Sequence, residues 1–268
     1  LKSSEENCQR CVYELGASKK NDISYLVNIC EPKITALLNV SEAHMESFGS
    51  FETLINTKEE IFSHTNTDQV VLNKDDEHFA RWKKINKHKK ITSISIFSNA
   101  DYFIEKTDDE FFYISTPKGI IELIKKNCSE ILAINLLFSI ALAMEAGADI
   151  QSVKDGIHSF SGVQGRFFSF ISSNKSIVID DSYNANPESM KSSLNQIKHF
   201  KKIKIFVMGD MGELGERSLD HHLSVFKQAR DVGVKYLLYM GKYKNEAKPV
   251  FGDSCRTFDD IIKLTNYV

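Results

Sequence analysis

The chain has 268 residues, 42% of them hydrophobic and 26% charged. That is enough apolar side chain to bury a core, and it excludes a disordered, collagenous or low-complexity protein. Lys and Arg total 34 against 36 Asp and Glu, a net charge of −2, so no global field favours nucleic acid or an anionic membrane surface. Short apolar runs alternate with amphipathic stretches from end to end, which predicts an α/β chain with mostly parallel strands, and the length predicts two compact units. Val12–Leu15 reads as a short buried strand and Asn21–Cys30 as a helix, with Asp22 in its first turn and Pro32 just beyond its end. Ile34–Val40 reads as a second strand, and Phe51–Phe62 as a helix starting at a Ser50 cap.

The character then changes. Ile91–Phe97, Tyr102–Glu105, Phe111–Ser115 and Ile120–Ile124 predict a β meander at the domain edge. The run Arg81–Lys90 is basic, but Asp75-Asp-Glu77 precedes it, so a solvated face is expected rather than a nucleic-acid footprint. Ser129–Ala146 and Ile150–Phe160 read as helices. Ser161-Gly-Val-Gln-Gly-Arg166 breaks both periodicities and reads as a hinge, dividing the chain into residues 1–162 and 163–268. Beyond it lie strand Ser176–Asp180, helix Pro187–Phe200, strand Ile203–Met208, helix Ser218–Val232 and strand Tyr236–Met240, a Rossmann-like order.

The five cysteines, at 8, 11, 30, 128 and 255, suit a reducing cytoplasm better than a disulfide framework, and Cys8-x-x-Cys11 lacks a second pair to complete a zinc set. The longest apolar run, Ile131–Met144, is broken by Asn135 and Ser139 and is too short to span a bilayer. The first six residues hold no signal core, and the chain starts on Leu, which leaves open whether residue 1 is a natural start.

Polar residues concentrate where an α/β protein usually places its site, after strands. Glu14 in Glu14-Leu-Gly-Ala-Ser18 is either a hard-oxygen magnesium ligand or a capping or salt-bridged carboxylate. His44, in the loop after the second strand, is either a metal ligand or acid/base, or an ordinary surface residue. Lys58 lies on the following helix and by itself reads as a solvated charge. Asp180-Asp-Ser-Tyr183-Asn184-Ala-Asn186-Pro187 presents carboxylates and amides to a ligand, or else only builds a turn and a cap. A similar cluster, Gly209-Asp-Met-Gly-Glu213-Leu-Gly215, follows the next strand. His221 and His222 read as helix-surface or packing residues.

In order, the chain carries E-L-G-A-S, N-V-S-E-A-H-M-E-S-F-G-S, T-K-E-E-I-F, G-V-Q-G-R-F, D-D-S-Y-N-A-N-P-E-S-M and G-D-M-G-E-L-G-E. This set resembles the Mur ligase family, from about Val12 almost to the end and most weakly over 65–128. It is nearest the branch that adds D-Ala-D-Ala to the UDP-MurNAc-tripeptide precursor of peptidoglycan, in the cytoplasm. The resemblance implies the remainder of a central ATP-binding domain followed by a Rossmann-like C-terminal ligase domain. It implies Mg2+ held by Glu14, His44 and Lys58, with Lys58 carbamylated. It also implies Arg166 on the ATP phosphates, Asp181 on the ribose, and Tyr183, Asn184 and Asn186 in the nucleotide-facing loop. Of the family's H-N-x-x-N only Asn135, near the adenine, is kept, because Ile131 and Leu132 replace the first two positions.

The implied reaction forms an acyl phosphate from ATP and the peptide carboxylate, which the dipeptide amine then attacks. The family's G-x-x-G-K-T phosphate loop would lie before residue 1, and no G-K-[ST] occurs in these 268 residues. The chain alone is therefore expected to turn over little or not at all. It is either the distal part of a ligase, with a separate upstream fragment supplying that loop, or a non-catalytic remnant. Another Mur-type ligase or a folylpolyglutamate synthase is the neighbouring alternative. The expected site opposes Glu14, His44 and Lys58 to Arg166 and Asp181.

Overall fold

The computed structural model describes residues 9–40, 48–124 and 130–267. The chain divides into two compact units, one ending at Phe160 and the other starting at Ser161. The first unit is built on a six-stranded sheet. It contains α1 (Asp22–Cys30), β1 (Ile34–Leu37), α2 (Phe51–Glu59) with a 3-10 turn at Glu60–Phe62, β2 (Gln69–Asn73), α3 (Phe79–Ile85) and β3 (Lys90–Ser95). It continues with β4 (Tyr102–Thr107), β5 (Phe111–Thr116), β6 (Gly119–Ile124), α4 (Glu130–Glu145) and α5 (Ile150–Ser159). The strands lie in sequence order, with β1 to β4 parallel and β4–β5–β6 antiparallel.

The parallel β3–β4 pair needs no crossover helix, because only Ile94 meets Tyr102 and Ser95 meets Phe103, so β4 begins level with the end of β3. Asp75 holds the intervening loop by accepting from Ile96 N at 2.7 Å and Ser95 Oγ at 2.6 Å. Helix α4 covers the sheet. Its Leu137, Phe138, Ile140, Ala141 and Met144 share one core with Val71, Ile94, Ile114 and Ile121. Residues apolar on nearly every face suit a helix packed against a sheet on one side and against α5 on another.

Several expectations hold and several fail. Ser50 does cap α2, its side chain accepting from Thr53 N at 3.1 Å; Ser50→Ala is expected to cost about 1 kcal/mol, measured by urea unfolding of the first unit. The strand expected at Val12–Leu15 is absent: this stretch is irregular and Val12 is 91% exposed. Three apolar residues around Glu14 gain no ladder partner here, so the run stays on the surface. Strand β2 and helix α3 were not anticipated. The basic run is solvated at Lys83, Lys84 and Lys87, but Trp82 and Asn86, one turn apart, are buried. Strand β1 is shorter than expected, ending at Leu37 rather than Val40.

In the second unit β7 (Phe168–Ile171) and β8 (Ile177–Asp180) form an antiparallel pair, followed by α6 (Pro187–Ile197) and β9 (Ile205–Met208). After α7 (Ser218–Asp231) come β10 (Tyr236–Tyr239), α8 (Lys244–Phe251), β11 (Cys255–Thr257) and α9 (Ile261–Thr265). Strands β9, β10 and β11 form a parallel sheet with β10 central, the Rossmann-like part of the unit. Strand β7 and everything after β10 were too short to show a period. Among the described residues no helix is long and apolar enough to cross a membrane.

Candidate active site

In the first unit, Glu14 sits on the surface in the irregular segment before α1, and Lys58 lies half-buried in the last turn of α2. The two converge. Burial holds the Lys58 ammonium below its usual range, and the Glu14 carboxylate is close enough to oppose that shift. The chain builds this encounter from backbone contacts. Asp22 turns its carboxylate back to accept from Ser18 N at 2.9 Å and Lys19 N at 3.0 Å, which closes the turn after Glu14-Leu-Gly-Ala-Ser18. Helix α2 is gripped on its other side by Arg81, whose guanidinium reaches Glu52 at 2.8 Å, Asn56 at 2.6 Å and Glu59 at 2.6 Å. These three acceptors lie at successive turns, so one arginine on α3 sets the roll of the helix that carries Lys58.

His44 lies outside the described residues, as do Cys8 and Cys128. Among the described residues no three His, Cys, Asp or Glu side chains cluster as a metal site. Asn135 is exposed on α4.

In the second unit the loop after β8 folds onto the linker. Gly165 N donates to Asp180 Oδ2 at 3.1 Å, Tyr183 N donates to Gly165 O at 2.9 Å, and Phe167 N donates to Asp181 Oδ1 at 3.0 Å. The Arg166 guanidinium lies over the Tyr183 ring, 4.2 Å from its centroid. Gly165 has φ +79°, and a Cβ there would stand 3.3 Å from Tyr183 N, so glycine alone fits this close approach. Arg166 is thus carried as part of the second unit. Asp181 is further held by the Ser193 hydroxyl, which donates to its other oxygen. The Ser182 hydroxyl, at 2.6 Å, holds the Asp180 carboxyl below the usual carboxylate range, with the Ser182 and Gly165 amides adding to the effect.

The turn-and-cap reading of this loop also has substance. Asn186 caps α6, its side chain accepting from Ser189 N at 2.8 Å, and Asn184 Oδ1 accepts from Ala185 N. Tyr183 and Asn184 remain exposed. Asp180 was missed as an organising residue, although the Asp180-Asp181 pair was the available signal.

At the ends of β9 and β10 a second polar cluster joins the exposed Asp210 to the buried Tyr239 and His222. Asp210 accepts from the Tyr239 hydroxyl and from Lys242 N. His222 is fully buried: its Nδ1 donates to Ser218 O at 2.7 Å and its Nε2 accepts from Met211 N at 3.0 Å. Its imidazole therefore serves as a neutral packing group, and burial lowers its pKa. The sequence left helix surface or packing open for both histidines, and His222 takes the packing role.

Comparison with known proteins gives the family. The Mur ligase middle domain matches residues 1–143, and the Mur ligase, glutamate ligase domain matches residues 165–261. The chain therefore belongs to the Mur ligase family. The UDP-N-acetylmuramoyl-tripeptide–D-alanyl-D-alanine ligase of Haemophilus influenzae is 33% identical over 220 residues, covering 80% of this chain and 47% of that one. MurF from Acinetobacter baumannii shares the fold at TM-score 0.81 with 24% identity, over 94% of this chain and 56% of that one. The MurF ligase of Thermotoga maritima, solved in complex with ADP, aligns at TM-score 0.76 with 23% identity, over 94% and 59%. The chain spans about half the length of the curated relatives it matches.

Proposed function

We propose that this chain belongs to an ATP-dependent ligase that joins D-Ala-D-Ala to UDP-MurNAc-tripeptide. The observation that carries the proposal is the convergence of Glu14 with a lysine whose ammonium is disfavoured by burial, on the motifs of a Mur ligase chain.

The donor chemistry fits magnesium, which prefers hard anionic oxygens. A lysine biased toward the neutral amine adds to CO2 and becomes a carbamate, supplying a second such oxygen beside Glu14. Glu14, His44 and Lys58 are the residues proposed to hold Mg2+, which when bound screens the phosphate charge.

Arg166 neutralises the transferring phosphate, and its stack on Tyr183 keeps the planar fork extended. Asp181 keeps acceptor capacity for the ribose hydroxyls beyond its bonds to Phe167 N and Ser193. Asn135, Tyr183, Asn184 and Asn186 complete the nucleotide-facing set. The tripeptide carboxylate takes the γ-phosphoryl group of ATP and ADP leaves. The amine of D-Ala-D-Ala then attacks the acyl carbon and phosphate leaves. Positioning and charge neutralisation do the catalytic work, with no protein nucleophile required.

These 268 residues hold no G-K-[ST] phosphate loop, so ATP turnover is proposed to need a segment that does. Phosphate release is the test, with ATP, Mg2+, UDP-MurNAc-tripeptide and D-Ala-D-Ala, on the chain alone and with a polypeptide carrying that loop. Release is expected only in the combined sample and only with the dipeptide. Release that needs a folate and glutamate in place of the tripeptide precursor and the dipeptide would assign the chain to the folylpolyglutamate-type alternative, and silence in every mixture would favour the non-catalytic remnant. In the active mixture Arg166→Ala is expected to lower kcat/KM for ATP roughly 10²-fold, as loss of a preorganised phosphate partner does.

A further inference from the structure

Glu60 leaves helix α2 two residues after Lys58, at the start of the 3-10 turn, and its carboxylate spans a long sequence gap. One oxygen accepts from Asn21 N at 2.9 Å and the other from Ser24 N at 3.0 Å. Those amides open helix α1, whose own N-cap residue, Asn21, has φ 72° and makes no side-chain cap bond. The cap is therefore supplied from α2, and an anion there also meets the positive end of the helix dipole. On the near side of the same turn, Asp22 ties down Ser18 N and Lys19 N. The segment from Glu14 to α1 is thus fastened by two carboxylates, and one belongs to the tetrapeptide Thr57-Lys-Glu-Glu60 that carries Lys58.

We infer that Glu60 is a positioning residue that locks the Glu14 segment against α2 and so sets the approach of Glu14 to Lys58. This rests on the reading of Glu14 and Lys58 as a functional pair, and it adds the device that brings them together. The lysine and the anchor for its partner sit within three residues of each other, so movement of α2 carries both halves of the pair.

Carbodiimide coupling tests this directly, because it joins a carboxylate to an amine only where side-chain motion brings the two together. The 268-residue chain is treated and the Glu14–Lys58 isopeptide is quantified by mass spectrometry. The Lys90–Glu145 isopeptide serves as a control, from an ion pair 2.5 Å apart in the same unit. Glu60→Ala is expected to lower the Glu14–Lys58 yield roughly fivefold, as loss of a helix cap does to a local population, and to leave Lys90–Glu145 unchanged. Glu60→Gln, which keeps one acceptor oxygen, is expected to fall between. If the unsubstituted chain yields no Glu14–Lys58 product, the functional pair itself is wrong. If that product forms but survives Glu60→Ala undiminished, or if both products fall together, Glu60 has no positioning role and the inference is overturned.

Discussion

Lys58→Ala is expected to lower D-Ala-D-Ala-dependent phosphate release roughly 10²- to 10³-fold in protein that also carries a phosphate loop, the scale of losing one preorganised electrostatic group. Lys58→Arg is expected to do no better, because a guanidinium stays charged and cannot capture CO2. Burial of Lys58 at the end of α2 favours the neutral amine that such an addition requires. Removing CO2 from the buffer should therefore slow the unsubstituted protein and leave Lys58→Ala where it was. Phosphate release measured with and without added bicarbonate checks both statements. A Lys58→Ala protein of full activity would remove the carbamate from the mechanism.

Gly241→Ala is expected to destabilise the second unit by about 2–3 kcal/mol, the range of an overpacked core. An added Cβ would lie 2.6 Å from Tyr239 Cζ and would overlap the hydroxyl that Tyr239 gives to Asp210. Tyr239 cannot step aside: it is fully buried, 5.0 Å from the Phe226 ring and 6.4 Å from that of His222. Asp210 can move, but only by releasing Lys242 N as well. Hydrogen exchange of β9 and β10 is the measurement, with faster exchange in Gly241→Ala at equal denaturant. Unchanged protection there would show that the Asp210–Tyr239 contact is dispensable.

Elements with a clear period or a cap were legible in the sequence. Ser50, Asn186-Pro187 and the apolar strand runs announce α2, α6 and β4–β6 through local chemistry, but Ile91–Phe97, expected in the same meander, is the parallel strand β3. Val12–Leu15 misled because an apolar run shows that a strand could form, while a strand also needs a partner to pair with. Helix α3 was hidden because Trp82 is the only large side chain it buries, so charge dominated its pattern. The motifs carried Glu14, Lys58, Arg166 and Asp181 through resemblance to a family. Glu60 was invisible for a physical reason: it acts on backbone amides some 36–39 residues away, and amides leave no mark in a sequence.

The order of parts within the first unit has a consequence for synthesis. All six strands leave the ribosome before α4, yet α4 supplies the apolar layer that covers β1 to β4. Until residue 145 has emerged, one broad face of the nascent sheet stays uncovered. That interval is when the growing polypeptide is most open to aggregation and to capture by chaperones.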